Sequence, residues 1–118
     1  MDFDRWTVLF LLRREDAPEL DEKESDTIQD AHLAYLARLH EDGRLAAAGP
    51  VEGASDPKVA GICLFRVGAH EARALAEVDP AVRAGRLRVD VLSWSVPRGA
   101  LTAGLSRFPQ SMADVNAP

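Results

Sequence analysis

At 118 residues the chain is long enough for one hydrophobic core and too short for two domains. Its 47% hydrophobic and 28% charged residues are the composition of a globular protein, not of a disordered one. The formal net charge of −5 comes from acids and bases mixed along the chain, and no basic run with interleaved aromatics points to nucleic acid.

The first residues, Met1-Asp2-Phe3-Asp4, are acidic where a secretory signal would be basic. Arg5–Leu12 is rich in Val, Leu and aromatics and predicts a first strand; its apolar run, Thr7–Leu12, is far too short to cross a membrane. Arg13–Glu24 is charged, contains Pro18 and reads as a loop. Asp26 with Gln29 three residues on has the form of a capping box, and Ile28, Ala31, Tyr35, Leu36 and Leu39 recur at helical spacing. With Gly43 as a left-handed cap, the first helix is expected over Thr27–Asp42. Leu45–Ala48 predicts a short second strand ending at Gly49-Pro50, and Val51–Lys58 a loop punctuated by Gly53 and Pro57. Val59–Val67 predicts strand three. It holds the one cysteine, Cys63, which excludes an internal disulfide and suits a reducing compartment, so a cytoplasmic location is expected. Gly68 turns the chain into a second helix over His70–Val78, which Pro80 stops by disfavouring helical geometry at Asp79. Ala81–Gly85 is a short connector with room for one helical turn, and Arg86–Val96 predicts strand four, with Pro97 as its stop. No period runs through Arg98–Pro118, which is expected to be a partly ordered tail outside a domain of residues 1–97.

The order β-α-β-β-α-β predicts an α+β, ferredoxin-like fold: a four-stranded antiparallel sheet with both helices on one face. Strands one and three should be central. Strand one is apolar on both sides, with Trp6, Val8, Phe10 and Leu12 on one and Leu9 and Leu11 on the other. Helices bury one of those sides, and a second copy of the sheet is the simplest cover for the other, giving a homodimer. The tail looks too polar to serve instead.

The same topology gathers the three long connections, Arg13–Glu24, Pro50–Lys58 and Asp79–Gly85, on one edge, where a site is usually built. His32 lies in the apolar stripe of the first helix near that edge. Asp79 ends the second helix and points to the same core. The pair reads in two ways: a buried imidazole satisfied by a carboxylate, or an acid–base dyad. A helix C-terminus disfavours a carboxylate by about 0.3–1 kcal/mol, so Asp79 needs a compensating partner there. Arg13, Arg14 and Arg86 fall near the same edge, as solvated charges or as attractors of an anionic ligand. Tyr35, one turn from His32, is a core residue or a third site residue. Trp6 and Trp94 read as sheet or interface packing, and Cys63 as a small core residue. His32 and His40 are separated by two helical turns, about 12 Å, which is too far for one metal. His70 is on the opposite edge. Neither a Gly-rich phosphate loop nor a GxSxG elbow is present.

Three features occur together and in order: His32 within AHLAYLARLHEDGRLAAAGP, Gly49-Pro50 at the end of that stretch, and Asp79-Pro80 within EARALAEVDPAVRAGRLRVDVLSW. With GICLFRV between them, they resemble the YciI-like (YCII-related) family over most of Arg5–Trp94, leaving the tail outside. The resemblance implies a dimeric α+β barrel with an active site built from a histidine and an aspartate, here His32 and Asp79. Related proteins act in the breakdown of chlorinated aromatics, and lactone isomerases share the fold. The DGPF motif of one neighbouring branch is missing, so that branch's associations do not carry over.

The expected function is that of a cofactor-independent lyase or isomerase on a small anionic or phenolic metabolite. His32 and Asp79 would be catalytic, and Arg13, Arg14, Tyr35, Gly49, Pro50 and Arg86 substrate contacts, without a metal. The alternative is a dimeric binding or structural module in which the pair only holds two helices together. Neither nucleic acid nor membrane is an expected partner.

Overall fold

Alternation along one strand organises the molecule. In the computed structural model, which describes residues 1–118, strand β1 runs from Phe3 to Arg13 and hydrogen-bonds on both sides. Its neighbours are β3 (Val59–Phe65) and β4 (Leu87–Pro97), and β2 (Leu45–Pro50) lies outside β3. The sheet order is β2-β3-β1-β4 and all pairings are antiparallel, so β1 and β3 are central as expected. Leu9 faces Cys63 on one side and Val91 on the other. Because side chains alternate, this register places Leu9, Leu11, Cys63 and Phe65 together on one face.

That face is covered by helices α1 (Glu22–Glu41) and α2 (Ala69–Glu77). Leu36 and Leu39 of α1 and Ala72 and Ala76 of α2 complete the core. The small alanines let α2 approach the sheet closely; Ala72 has no exposed surface. Helix α1 starts one turn earlier than the capping-box reading predicts. Its cap is Asp21, whose carboxylate accepts the Glu24 N–H at 2.7 Å. Asp21 and Glu24 repeat the same spacing as Asp26 and Gln29, and residues 22–26 contain no helix breaker, so the earlier signal prevails. At the other end the Gly43 N–H bonds to the His40 carbonyl and the Arg44 N–H to the Leu39 carbonyl. That closing turn needs the positive φ of 78° that glycine adopts without strain. The other boundaries move by one or two residues, as strand and helix ends do.

The connector after α2 is a four-residue helix, α3 (Pro80–Arg83). Pro80 occupies its first position, where a missing N–H costs nothing. The end segment also contains a short helix, α4 (Met112–Asn116), that no sequence period announces. This segment first crosses the outer face of the sheet, where Leu101 and Ala103 pack on Trp6, Ala46 and Val96. The Arg66 guanidinium, 5.5 Å from the centroid of the Trp6 ring, donates to the Ala103 carbonyl at 2.7 Å. Beyond it the Ser106 N–H donates to His40 Nε2 at 2.9 Å, and the Met112 N–H to Asp30 Oδ1 at 2.8 Å. The segment thus covers the Trp6 end of the outer face, contrary to the expectation that it is too polar to do so. The rest of that face keeps Ile62, Leu92 and Trp94 exposed. No helix is long and apolar enough to cross a membrane.

Candidate functional site

His32 is the first fully buried residue of α1, and the helical repeat that buries Leu36 and Leu39 also turns its ring inward. Asp79 comes from the junction of α2 and α3 and is 2% exposed. The two meet. His32 Nδ1 lies 2.9 Å from Asp79 Oδ1 and 2.7 Å from Oδ2, so the Nδ1–H donates to the carboxylate. Asp79 directly follows the C-cap of α2, as the sequence suggests, and its N–H bonds to the Ala76 carbonyl, but it has a second helix to serve. It caps the N-terminus of α3, with Oδ1 accepting the Ala81 N–H at 2.8 Å. Pro80 both ends α2 and begins α3, so the favourable N-terminus of α3 offsets the unfavourable end of α2 at the same carboxylate.

With Nδ1 donating to Asp79, the neutral ring has its lone pair on Nε2. Nε2 bonds to nothing in the protein, yet the only buried side-chain polar atom without a partner is Trp6 Nε1. Nε2 is therefore open, and it opens onto a cavity of about 630 Å³ that His32 lines. That volume falls within the roughly 300–1,000 Å³ of small-molecule sites.

The cavity lies on the edge where the long connections gather. Arg13, Arg14, Gly49, Pro50 and Arg86 all line it. Their charges are not equivalent. Arg14 is paired with Asp16 at 2.7 Å, an ion pair that holds the Asp16 carboxyl below its usual range. Arg13 donates to the carbonyls of Pro57 and Val59, and Arg86 to Ser25 Oγ, so both guanidinium charges lack a carboxylate partner. Gly49 needs no positive φ, and a Cβ there would meet nothing within 4 Å. Tyr35 is not part of the cavity. Its hydroxyl donates to the Leu75 carbonyl at 2.8 Å, and burial pushes its pKa up. Cys63, under the helices, has its thiol pushed up to about 12 by burial, which makes it a poor nucleophile. No group of three or more His, Cys, Asp or Glu side chains is arranged to hold a metal ion.

Two contributions are invisible in the sequence pattern. Gln29 and Leu33 line the cavity beside Ile28 because α1 presents a wider face than its apolar stripe alone. Phe108, Pro109, Met112 and Val115 add a wall from the end segment. Its short run of apolar residues has no period, so only the folded chain shows where it packs.

The comparisons with known proteins agree with this architecture. The protein called Protein YciI in Escherichia coli O6:H1 is 36% identical over 85 residues, covering 66% of this chain and 86% of the relative. Protein YciI of Shigella flexneri gives the same values. Among solved structures, 5-chloro-2-hydroxyhydroquinone dehydrochlorinase (TftG) from Burkholderia phenoliruptrix AC1100, in complex with 2,5-dihydroxybenzoquinone, shares the fold. The TM-score is 0.54 and the identity 22%, over 75% of this chain and 92% of that one. With residues 8–95 matching the YCII-related domain, this chain belongs to the YCII-related family.

Proposed function

We propose that the protein is a cofactor-independent acid–base enzyme, a lyase or isomerase, that acts on a small anionic or phenolic metabolite. One observation carries this reading. A buried carboxylate holds Nδ1 of His32 while Nε2 is left free on a cavity of ligand size. His32 Nε2 takes a proton from the bound substrate, and the Asp79 carboxylate stabilises the imidazolium that forms. In an isomerisation the proton returns to a different substrate atom; in an elimination a leaving anion departs and the proton is passed to solvent. Neither course needs a covalent nucleophile. Arg13 and Arg86, lacking carboxylate partners, supply the positive potential that draws an anion to the cavity. The dehydrochlorinase that shares the fold is named for an elimination on a hydroxylated ring, which fits this class of chemistry.

The cap that Asp79 gives to α3 favours a second reading, in which the pair only ties α1 to α3 in a binding or structural module. A thermal-shift screen of hydroxylated aromatics and small carboxylates, 2,5-dihydroxybenzoquinone among them, tests the first reading, followed by turnover assays of the ligands found. His32→Gln keeps much of the volume and a donor. It is expected to stay folded and to lose turnover; unchanged turnover would remove His32 as the proton carrier and leave the module. We also infer a homodimer formed through the outer face of the sheet, as a dimeric α+β barrel. A cytoplasmic location fits the lone reduced, buried Cys63.

A further inference from the structure

We propose that the segment after β4 determines which substrates the cavity takes, with Phe108 as the specificity-determining residue that selects a single flat ring carrying an anionic group. The inference rests on the reading of this cavity as the substrate site and adds the wall that shapes it.

The segment lies outside residues 8–95, the part that matches the family, yet it supplies Phe108, Pro109, Met112 and Val115 to the cavity that His32 lines. It is held there by specific contacts. His40, only 4% exposed, uses both ring nitrogens: Nδ1–H donates to the Leu45 carbonyl at 2.8 Å, and Nε2 accepts the Ser106 N–H at 2.9 Å. With its ring orientation thereby set, His40 stacks on Phe108 at a centroid distance of 4.0 Å and an interplanar angle of 12°. Asp30 on α1 accepts the Met112 N–H and anchors the far end of the wall. A bulky aromatic is thus placed at the cavity by a buried residue that has no other role in the site.

The lining divides by chemistry. Phe108, Met112 and Val115 offer an aromatic and aliphatic surface, which suits the face or edge of a ring. Arg13 and Arg86 offer two guanidinium groups without carboxylate partners, which suit a carboxylate or phenolate. A hydroxylated aromatic carboxylate satisfies both, whereas an aliphatic diacid satisfies only the second. His40 backs the Phe108 ring on one face, so the ring stands against the cavity and narrows it on that side, where a second fused ring would have to pass.

The test uses the full chain and three probes, salicylate, 1-hydroxy-2-naphthoate and succinate, with Kd measured by calorimetry for the parent, Phe108→Ala and Phe108→Leu. The parent is expected to bind salicylate more tightly than either other probe. Phe108→Ala should shift the ratio of the two aromatic Kd values by about tenfold toward the two-ring acid, about 1.4 kcal/mol, and Phe108→Leu by less. A residue that merely supports the fold would weaken both acids alike and leave the ratio where it was. An unchanged ratio in both variants overturns the proposal, as does a parent that binds neither aromatic acid or binds succinate as tightly as salicylate. No turnover is read, so a His32 without acid–base function leaves this outcome intact, and loss of the ring selectivity leaves the His32 assay intact.

Discussion

Asp79 does two jobs with one carboxylate, and substitution can separate them. Oδ1 caps α3 through Ala81, while both oxygens face Nδ1 of His32. Asparagine retains a cap acceptor but no charge to stabilise an imidazolium. Asp79→Asn should therefore lower turnover by about a hundredfold or more with a modest loss of stability. Asp79→Ala leaves the buried His32 N–H and the Ala81 N–H unsatisfied and should cost about 2–4 kcal/mol in urea unfolding. Equal stability of the two variants would show that the cap bond contributes nothing. Cys63 gives the pH dependence at this scale. Its thiol is pushed from 9.0 up to about 12 by burial, so the unfolded chain loses this proton first. Between those values the folded state binds more protons than the unfolded one, and stability falls as pH rises. The thiol's contribution is whole below the unfolded value and is lost toward the folded one, at about 1.4 kcal/mol per pH unit. Urea unfolding near neutral pH and near pH ~10 should show this decline in the parent and a shallower one in Cys63→Ala. Parallel declines would mean that the thiol is not protected.

At the scale of elements, the start of α1 sets where His32 falls relative to the cavity. Asp21→Ala removes the cap bond to Glu24 and should cost about 1 kcal/mol. Asp26→Ala, within the helix, should be nearly neutral by the same unfolding measurement. The reverse ranking would place the helix start at Asp26, where the sequence first suggests it. The short helix α3 shows a related economy of structure, since a single Pro80 ends one helix and opens the next. The terminal segment acts across elements: Arg66, just after β3, and His40 and Asp30, both on α1, each accept or supply one of its bonds.

For the whole molecule the open question is the outer face of the sheet. Val8 and Phe10 on β1, Ile62 on β3, and Leu92 and Trp94 on β4 share that side by register. Trp94 is 47% and Leu92 44% exposed, although they stand beside the partly covered Trp6 cluster. Such a contiguous apolar face is unusual on a monomer. Light scattering at micromolar concentration is expected to give twice 12.8 kDa, and Trp94→Glu to halve that mass without unfolding the chain. A parent that is monomeric would set aside the dimeric barrel.

Much of this protein is legible in its sequence because local physics dominates there. The strand of Leu9 and Leu11, the helix of His32, Leu36 and Leu39, and the glycine stop at Gly43 follow from period and backbone freedom alone. Chain direction then brings His32 and Asp79 to one edge, since strand and helix order leaves few alternatives. The rest depends on contacts between residues far apart in the chain. The role of Asp79 depends on Pro80 starting a helix as well as ending one, and only the packing of α3 against α1 settles it. Tyr35 has helical spacing that suits the site, yet its hydroxyl is taken by Leu75, on α2. The wall at Phe108 has no period to read because it is held by His40 and Asp30, and tertiary contacts of that kind leave no local trace in sequence.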